Sequence, residues 1–249
     1  MEGEDHPVMK LTAAARTDVG RRRQANEDTY ALAPELGLFL VADGMGGHRA
    51  GQVASGLAAR AAVGALRGQG GDPRALPERL RACVAAANGE ILASSRIKPE
   101  LAGMGTTVVA LLAAGGRMAL AHVGDSRAYR IRGGAIRRLT DDHTVVGELV
   151  RRGEISARAA EAHPHRHVLT RALGVRRAIE PDLLEVEPEA GDVYLLCSDG
   201  LTGHVADAEI AALVAEAADL DAAAQQLVDL ANARGGEDNV TVVLVSCEA

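Results

Sequence analysis

The chain has no tryptophan, one phenylalanine and three tyrosines in 249 residues. Large rings therefore cannot build the core, and Ala, Val and Leu must fill it. At 47% hydrophobic content there is enough apolar side chain for a substantial interior, which excludes a disordered chain. Cysteine is equally sparse. Cys83, Cys197 and Cys247 are odd in number, widely spaced and each set in an apolar stretch. That pattern excludes a disulfide framework and fits buried thiols in a reducing compartment. No apolar run approaches the ~20 residues that span a bilayer, and MEGEDHPVMK at the start lacks a signal-peptide core. A soluble, cytoplasmic chain with no membrane partner is expected. An excess of basic charge is also missing. With 27 Lys and Arg against 34 Asp and Glu the net charge is −7, which argues against a general nucleic-acid binder.

The residues that are present fall into ordered blocks. Residues 8–16 and 36–42 read as strands, and the second is apolar throughout, as a strand covered on both faces would be. Residues 50–67 and 75–96 read as helices. In the second, Leu76, Leu80, Cys83, Val84, Ala87 and Ile91 recur at helical spacing and form one stripe. After Gly105, TTVVALLAA, RMALAHVG, RAYRIRG and AIRRLT are short runs split by glycine-bearing turns, the texture of an antiparallel meander. Residues 142–162 read as helical with a break at Gly153, 163–179 as loop, and 180–187 and 192–198 as strands. Residues 207–217 and 221–233 form an Ala-rich helical pair, and 240–246 a strand. Strands and helices in segregated runs favour an α+β layered fold: two packed antiparallel sheets with a helical pair on each outer face.

Aspartates recur where these apolar runs stop. In 36-LGLFLVADGMGGHRAG-51, Asp43 and Gly44 follow a buried strand. The glycines fit neither a dinucleotide fingerprint nor a P-loop, since Arg49 stands where the last glycine belongs and no Gly-Lys-Ser/Thr is present. Taken alone, Asp-Gly is a hairpin turn. The design repeats, however: Asp199-Gly200 ends VYLLC, and Asp125 follows ALAHVG. Asp238 precedes VTVVLVS. If that last strand runs antiparallel to 192–198, Asp199 and Asp238 meet at one edge of the sheet, where Asp43 and Asp125 can join them. Carboxylates gathered at an apolar rim repel one another, and divalent cations with oxygen ligands relieve the repulsion. Glycine after the aspartate lets a backbone carbonyl approach the ion. In 20-GRRRQANEDTY-30, arginines precede Glu27 and Asp28. Such a run is usually a solvated turn, but a guanidinium beside metals is also what a phosphoester site requires.

With these stretches in view, the sequence resembles the metal-dependent protein serine/threonine phosphatases of the 2C family in their compact bacterial form. The resemblance rests on TDVGRRRQANED (17–28), VADGMGGHRAGQVAS (41–55), MGTTVV (104–109), HVGDSRAY (122–129), HPHRHVLTRALG (163–174), LLCSDGL (195–201) and GGEDNVTVVLV (235–245). It implies a four-layer α-β-β-α sandwich in one catalytic domain, residues 1–249, with 141–178 as a mobile flap. It implies two Mn2+ or Mg2+ ions and a weaker third. Asp43 would bridge the two ions, with the Gly44 carbonyl on one. Asp199 and Asp238 would hold the other, and Asp125 would contribute with Asp199 to the third. Glu27 and Asp28 would act through metal-bound waters, Asn239 and Thr106 as nearby polar supports, and Arg23 as the phosphate-binding arginine. Water shared by ions about 4 Å apart would attack phosphorus in line.

Two departures from the family pattern stand out. Met45 occupies the position of the histidine that animal relatives use as general acid. Leaving-group protonation then falls to a metal-bound water or to His48. His167 stands where a small polar residue is common in bacterial relatives, and is a candidate neighbour of the third metal. His163, His165 and His167 read otherwise as exposed flap residues, without the Cys/His spacing of a transition-metal site. A cysteine-phosphatase loop at Cys197 is excluded because position 203 is Gly, not Arg. The expected partners are phosphoserine and phosphothreonine proteins and a cognate serine/threonine kinase, and the expected state is a monomer. The competing readings are a regulatory phosphatase for an anti-sigma-factor antagonist and a silent phosphoprotein-binding module. Retention of all four aspartates weighs against the silent module.

Overall fold

The run LFLVA is apolar on both faces because both faces of its strand are covered. In a computed structural model that describes residues 9–46, 49–67, 72 and 75–248, this run opens strand β3 (Leu38–Met45). Side chains alternate across a strand. Leu38, Leu40 and Ala42 point to a helical layer, whereas Phe39 and Val41 point to a second sheet. Asp43 follows in the same alternation and points between the sheets.

The first sheet also contains β2 (Asp28–Ala33), β4 (Gly105–Thr106), β5 (Val108–Ala114), β6 (Arg117–Val123) and β9 (Asp182–Val186). Its order is β2-β3-β5-β6-β9, with β4 beside β3. The second holds β1 (Lys10–Asp18), β7 (Arg127–Arg132), β8 (Ala135–Arg138), β10 (Val193–Cys197) and β11 (Val240–Glu248), in the order β1-β11-β10-β7-β8. All pairings are antiparallel. Helices α1 (Arg49–Arg67) and α2 (Leu76–Ile97) cover the first sheet. Two short helices follow, α3 (Val145–Arg151) and α4 (Ala157–Glu161), and a single turn, α5 (Asp199–Thr202), opens at Asp199. Helices α6 (Asp207–Glu216) and α7 (Leu220–Ala233) cover the second sheet. The α-β-β-α layering expected from the sequence is the observed one.

Small residues explain how the layers close without large rings. Ala50, Ala54, Ala58 and Ala62 form a stripe along α1 that lies against the first sheet, and the missing side-chain bulk lets helix and sheet approach. Between the sheets, Phe39, Leu111, Leu120, Tyr194, Leu196 and Val243 make the middle core. Charge also braces the second sheet internally, between β7 and the start of β10. Arg132 forks onto the fully buried Asp192 carboxylate at 2.6 and 2.7 Å.

Two elements depart from the sequence reading. Strand β2 was not expected. It is an edge strand paired only with β3, and Tyr30 and Leu32 are left partly exposed, so it lacks the apolar density of a covered strand. The helix expected over 142–162 is divided into α3 and α4, with Gly153 between them at φ 72°. The expected loop over 163–179 contains no regular element.

Phe39 is the single phenylalanine, is fully buried and lies in the middle core. Phe39→Ala should cost about 3–5 kcal/mol, read as a lower urea midpoint at unchanged denaturant slope.

Candidate metal centre

The register of two strand pairs, with one turn that crosses between the sheets, gathers the acidic residues. Asp28 and Asp43 are directly paired across β2 and β3. Paired residues share a face, so both carboxylates lie on the inter-sheet side. Cys197 pairs with Val242 across β10 and β11, which places Asp199 just beyond one strand end and Asp238 just before the other's start. Asp125 sits in the turn from β6 to β7. The expected antiparallel meeting of Asp199 and Asp238 is thus observed.

Hydroxyl and amide groups fix the backbone that carries these acids. The Asp43 N–H donates to Thr107 Oγ1 at 3.0 Å, and its carbonyl accepts from Thr106 Oγ1 at 2.8 Å and from the Thr107 N–H at 2.9 Å. Thr107 Oγ1 in turn shares a 2.7 Å hydrogen bond with Ser126 Oγ, beside Asp125. Ser198 Oγ donates to Asp28 Oδ2 at 2.7 Å and accepts from the Thr241 N–H at 3.0 Å, joining the two sheets. Asn239 accepts from the Glu27 N–H at 2.8 Å and donates to the carbonyls of Val19 and Ala25 at 2.9 and 3.0 Å. It thereby pins the arginine-bearing loop to the start of β11. The glycines after the aspartates have a packing reason too. A Cβ on Gly44 would collide with the carbonyl oxygens of Gly51 and Glu27, and one on Gly200 with that of Asn239.

The electrostatics are those of crowded acids. Burial pushes the Asp28 carboxyl up to about 7, reinforced by Asp199 and Asp238 and partly opposed by hydroxyl hydrogen bonds. Burial also raises Asp43, with Asp28, Asp199, Asp125 and Asp238 adding to it. Asp125 is pushed to about 8 by burial and then by Asp199 and Asp142. Asp199 is raised by burial and Asp238, against the opposing pull of His167, Arg127 and Arg23. Asp238 contacts Arg23, whose Nη2 lies 2.6 Å from Asp238 Oδ2. His167 Nδ1 stands 3.9 Å from Asp199 Oδ2. The rings of His163 and His165 are 5.6 Å apart. His48 lies outside the described residues.

Several contributors carried no sequence signal that was read: Ser198, Thr107, Ser126, the Arg127–Asp142 fork at 2.7 and 3.0 Å, and His143. His143 accepts from the Gly124 N–H at 3.0 Å through Nδ1 and faces Asp182 Oδ2 at 3.1 Å through Nε2. Position next to a site aspartate would have singled out Ser126 and Ser198. Cys197 takes no part. Its thiol is buried on the outer face of β10, and burial pushes it up to about 12.

Among the described residues, no three His, Cys, Asp or Glu side chains are drawn tightly enough to close on one ion. The donor set nevertheless suits a hard divalent cation. It consists of carboxylates, Asp28 Oδ1 is buried without a hydrogen-bond partner, and the mutual repulsion is of the kind a dication removes.

Comparison with known proteins agrees with this architecture. The family profile described as Protein phosphatase 2C matches residues 19–240. The serine/threonine phosphatase stp of Listeria innocua is 41% identical over 240 residues, covering 94% of this chain and 95% of that protein. The serine/threonine protein phosphatase PstP of Mycobacterium tuberculosis is 46% identical over 242 residues, covering 95% of this chain and 45% of that protein. The crystal structure of the PstP catalytic domain in complex with two manganese ions superposes with a TM-score of 0.87 at 41% identity, covering 97% of this chain and all of that one. The chain belongs to the protein phosphatase 2C family.

The raised carboxyls set a pH dependence. Asp28 and Asp125 keep protons in the fold up to about 7 and 8, whereas the unfolded chain releases them near pH 4. The folded state therefore binds more protons across that window, and these groups lower stability as pH rises. His122, lowered to about 3 by burial and the adjacent His143, acts in the opposite sense but only below about pH 6.5. In chelator, the melting temperature should fall between pH 6.5 and 8. Asp28→Asn should recover on the order of 1–3 kcal/mol at pH 8, measured by thermal denaturation, with a smaller gain at pH 5 and none near pH 3.

Proposed function

We propose that the chain hydrolyses phosphoserine and phosphothreonine esters in proteins, using divalent cations held by Asp43, the Gly44 carbonyl, Asp125, Asp199 and Asp238. The observation that carries this reading is the convergence of five aspartates from separate segments: Asp28 and Asp43 paired across β2 and β3, Asp199 and Asp238 at the meeting ends of β10 and β11, and Asp125 in the turn from β6 to β7. When bound, two such cations acidify a shared water and neutralise phosphoryl oxygens. Asp43 supplies the central carboxylate, and Thr106 and Thr107 hold its peptide still. Glu27, Asp28 and Asn239 orient the surroundings, and Ser198 fixes the Asp28 carboxylate. Arg23 binds the phosphoryl group: its side chain is about half exposed, and Asp238 aims it by one Nη2 contact, leaving other N–H groups to fork onto phosphate. His167 is assigned to the neighbourhood of a third ion shared by Asp125 and Asp199.

Residues 141–178 form the flap of one catalytic unit in this reading. Backbone pairing of Thr144 with Leu169 closes the segment, and pairing of Leu173 with Thr106 fastens it beside Asp43. The setting implied is a monomeric cytoplasmic enzyme opposing a serine/threonine kinase. Among the described residues no helix is long and apolar enough to cross a membrane.

Hydrolysis of p-nitrophenyl phosphate should require Mn2+ or Mg2+ and stop with excess chelator; turnover indifferent to chelation sinks the reading. Asp238→Asn should lower kcat at least about 100-fold, with the fold intact by circular dichroism. Arg23→Ala should raise KM for a phosphothreonine peptide more than it lowers kcat, and Arg23→Lys should restore only part of the loss because a lysine cannot fork.

A further inference from the structure

The irregular segment of this acidic chain is rich in arginine. Residues 151–177 contain seven arginines and two glutamates, in a protein of net charge −7. Two of the seven are engaged: Arg152 with Glu148 and Glu154 at 3.6 and 3.9 Å, and Arg171 with Asp182 at 2.6 Å. Arg151, Arg158, Arg166, Arg176 and Arg177 are exposed and have no ion pair among the described residues. Nor do they serve to calm the aspartates, since the chief positive groups acting on Asp199 are His167, Arg127 and Arg23. Exposed, unpaired arginines make a local positive field that attracts an external anion.

Their placement says where that anion sits. Arg166 precedes His167, which stands beside Asp199. Arg176 and Arg177 follow Leu173, whose N–H and carbonyl exchange hydrogen bonds with Thr106, and Thr106 holds the Asp43 carbonyl. Asn88 of α2 fixes the backbone at Arg176 and Arg177. Its Oδ1 accepts from the Gly174 N–H at 2.8 Å, and its Nδ2 donates to the carbonyls of Arg176 and Arg177 at 2.9 and 3.2 Å. The turn is therefore held by its backbone while its guanidinium groups stay free. A cavity of about 160 Å3 opens beside it, lined by Thr170, Arg171, Val175 and Arg176 among others. Thr170 Oγ1 is buried there without a partner, a hydroxyl donor next to cationic groups.

We infer that this arginine-bearing segment is a docking surface for acidic side chains flanking the phosphorylated residue, so that the preferred substrates are acidic phosphopeptide segments. This rests on the phosphatase reading above and adds a specificity to it. Beside Arg176 and Arg177 the acids are already paired, with Asp182 taken by Arg171 and His143 and Glu180 by Arg81. An incoming carboxylate or second phosphate meets free donors there, and Glu161 is the one acid of the segment without an ion pair among the described residues.

The test uses three phosphothreonine peptides with the same central residue and flanks of Asp/Glu, Ala/Ser or Lys/Arg, assayed with Mn2+, and p-nitrophenyl phosphate as the flank-free control. At low salt the acidic peptide should have a kcat/KM at least about ten times that of the basic one, carried by KM and shrinking at high salt. The triple substitution Arg166→Glu/Arg176→Glu/Arg177→Glu should abolish or reverse the preference while p-nitrophenyl phosphate turnover stays unchanged. The milder Arg176→Gln/Arg177→Gln pair serves if the triple variant melts early. Equal kcat/KM across the peptides, or a preference that survives the substitutions, overturns the docking surface. Failure to hydrolyse p-nitrophenyl phosphate with Mn2+ would instead overturn the phosphatase reading itself.

Discussion

Mutual repulsion among buried carboxylates is the constraint on which this structure turns. A sandwich of two sheets gains stability by excluding water from the space between them, yet at one end of that space five aspartates are brought within electrostatic reach of one another. The fold tolerates this in identifiable ways. Ser198 and Thr241 solvate Asp28 from within the second sheet, Arg23 neutralises Asp238, and burial keeps protons on Asp28 and Asp125. A site strained by its own charge is poised to exchange protons for dications, which gives the acidic cluster a chemical purpose rather than a structural one.

The same end of the sandwich is where the irregular segment attaches. One residue does much of the joining. His143 exchanges hydrogen bonds with Gly124, next to Asp125, accepts from the Thr170 N–H through its carbonyl, and faces Asp182 on β9. Its ring lies against that of His122, tilted by 37° with centroids 4.5 Å apart. Neither ring nitrogen of His122 has a partner, and burial keeps that ring neutral. The polar layer beneath the site is thus continuous from the Gly124–Asp125 turn to the base of the segment.

How much of this was legible in the sequence follows from the physics of each feature. Alternation and periodicity identified the covered strands and the stripe of α2, because burial on a fixed face leaves a repeating trace. The antiparallel relation of β10 and β11 could be assumed and its consequence for Asp199 and Asp238 drawn. Strand β2 was missed because an edge strand with Tyr30 and Leu32 partly exposed leaves no such trace. The clamps made by Thr107, Ser126, Ser198 and His143 were missed because a hydroxyl or imidazole announces its partner only in three dimensions. Gly44 and Gly200 drew attention for a role toward an ion, and the structure adds a second demand: neighbouring carbonyls fill the space a side chain would take.

Asn239 unites an early loop with a late strand, since its side chain grips the backbone on both sides of Arg23 while its own peptide leads into β11. β11 also lies between β1 and β10, completing the second sheet. During synthesis, a polypeptide that has not yet delivered residues 238–248 lacks both the centre of that sheet and the anchor for its guanidinium arm. Closure of the second sheet and fixation of the loop that carries Arg23 therefore draw on the same short stretch of chain.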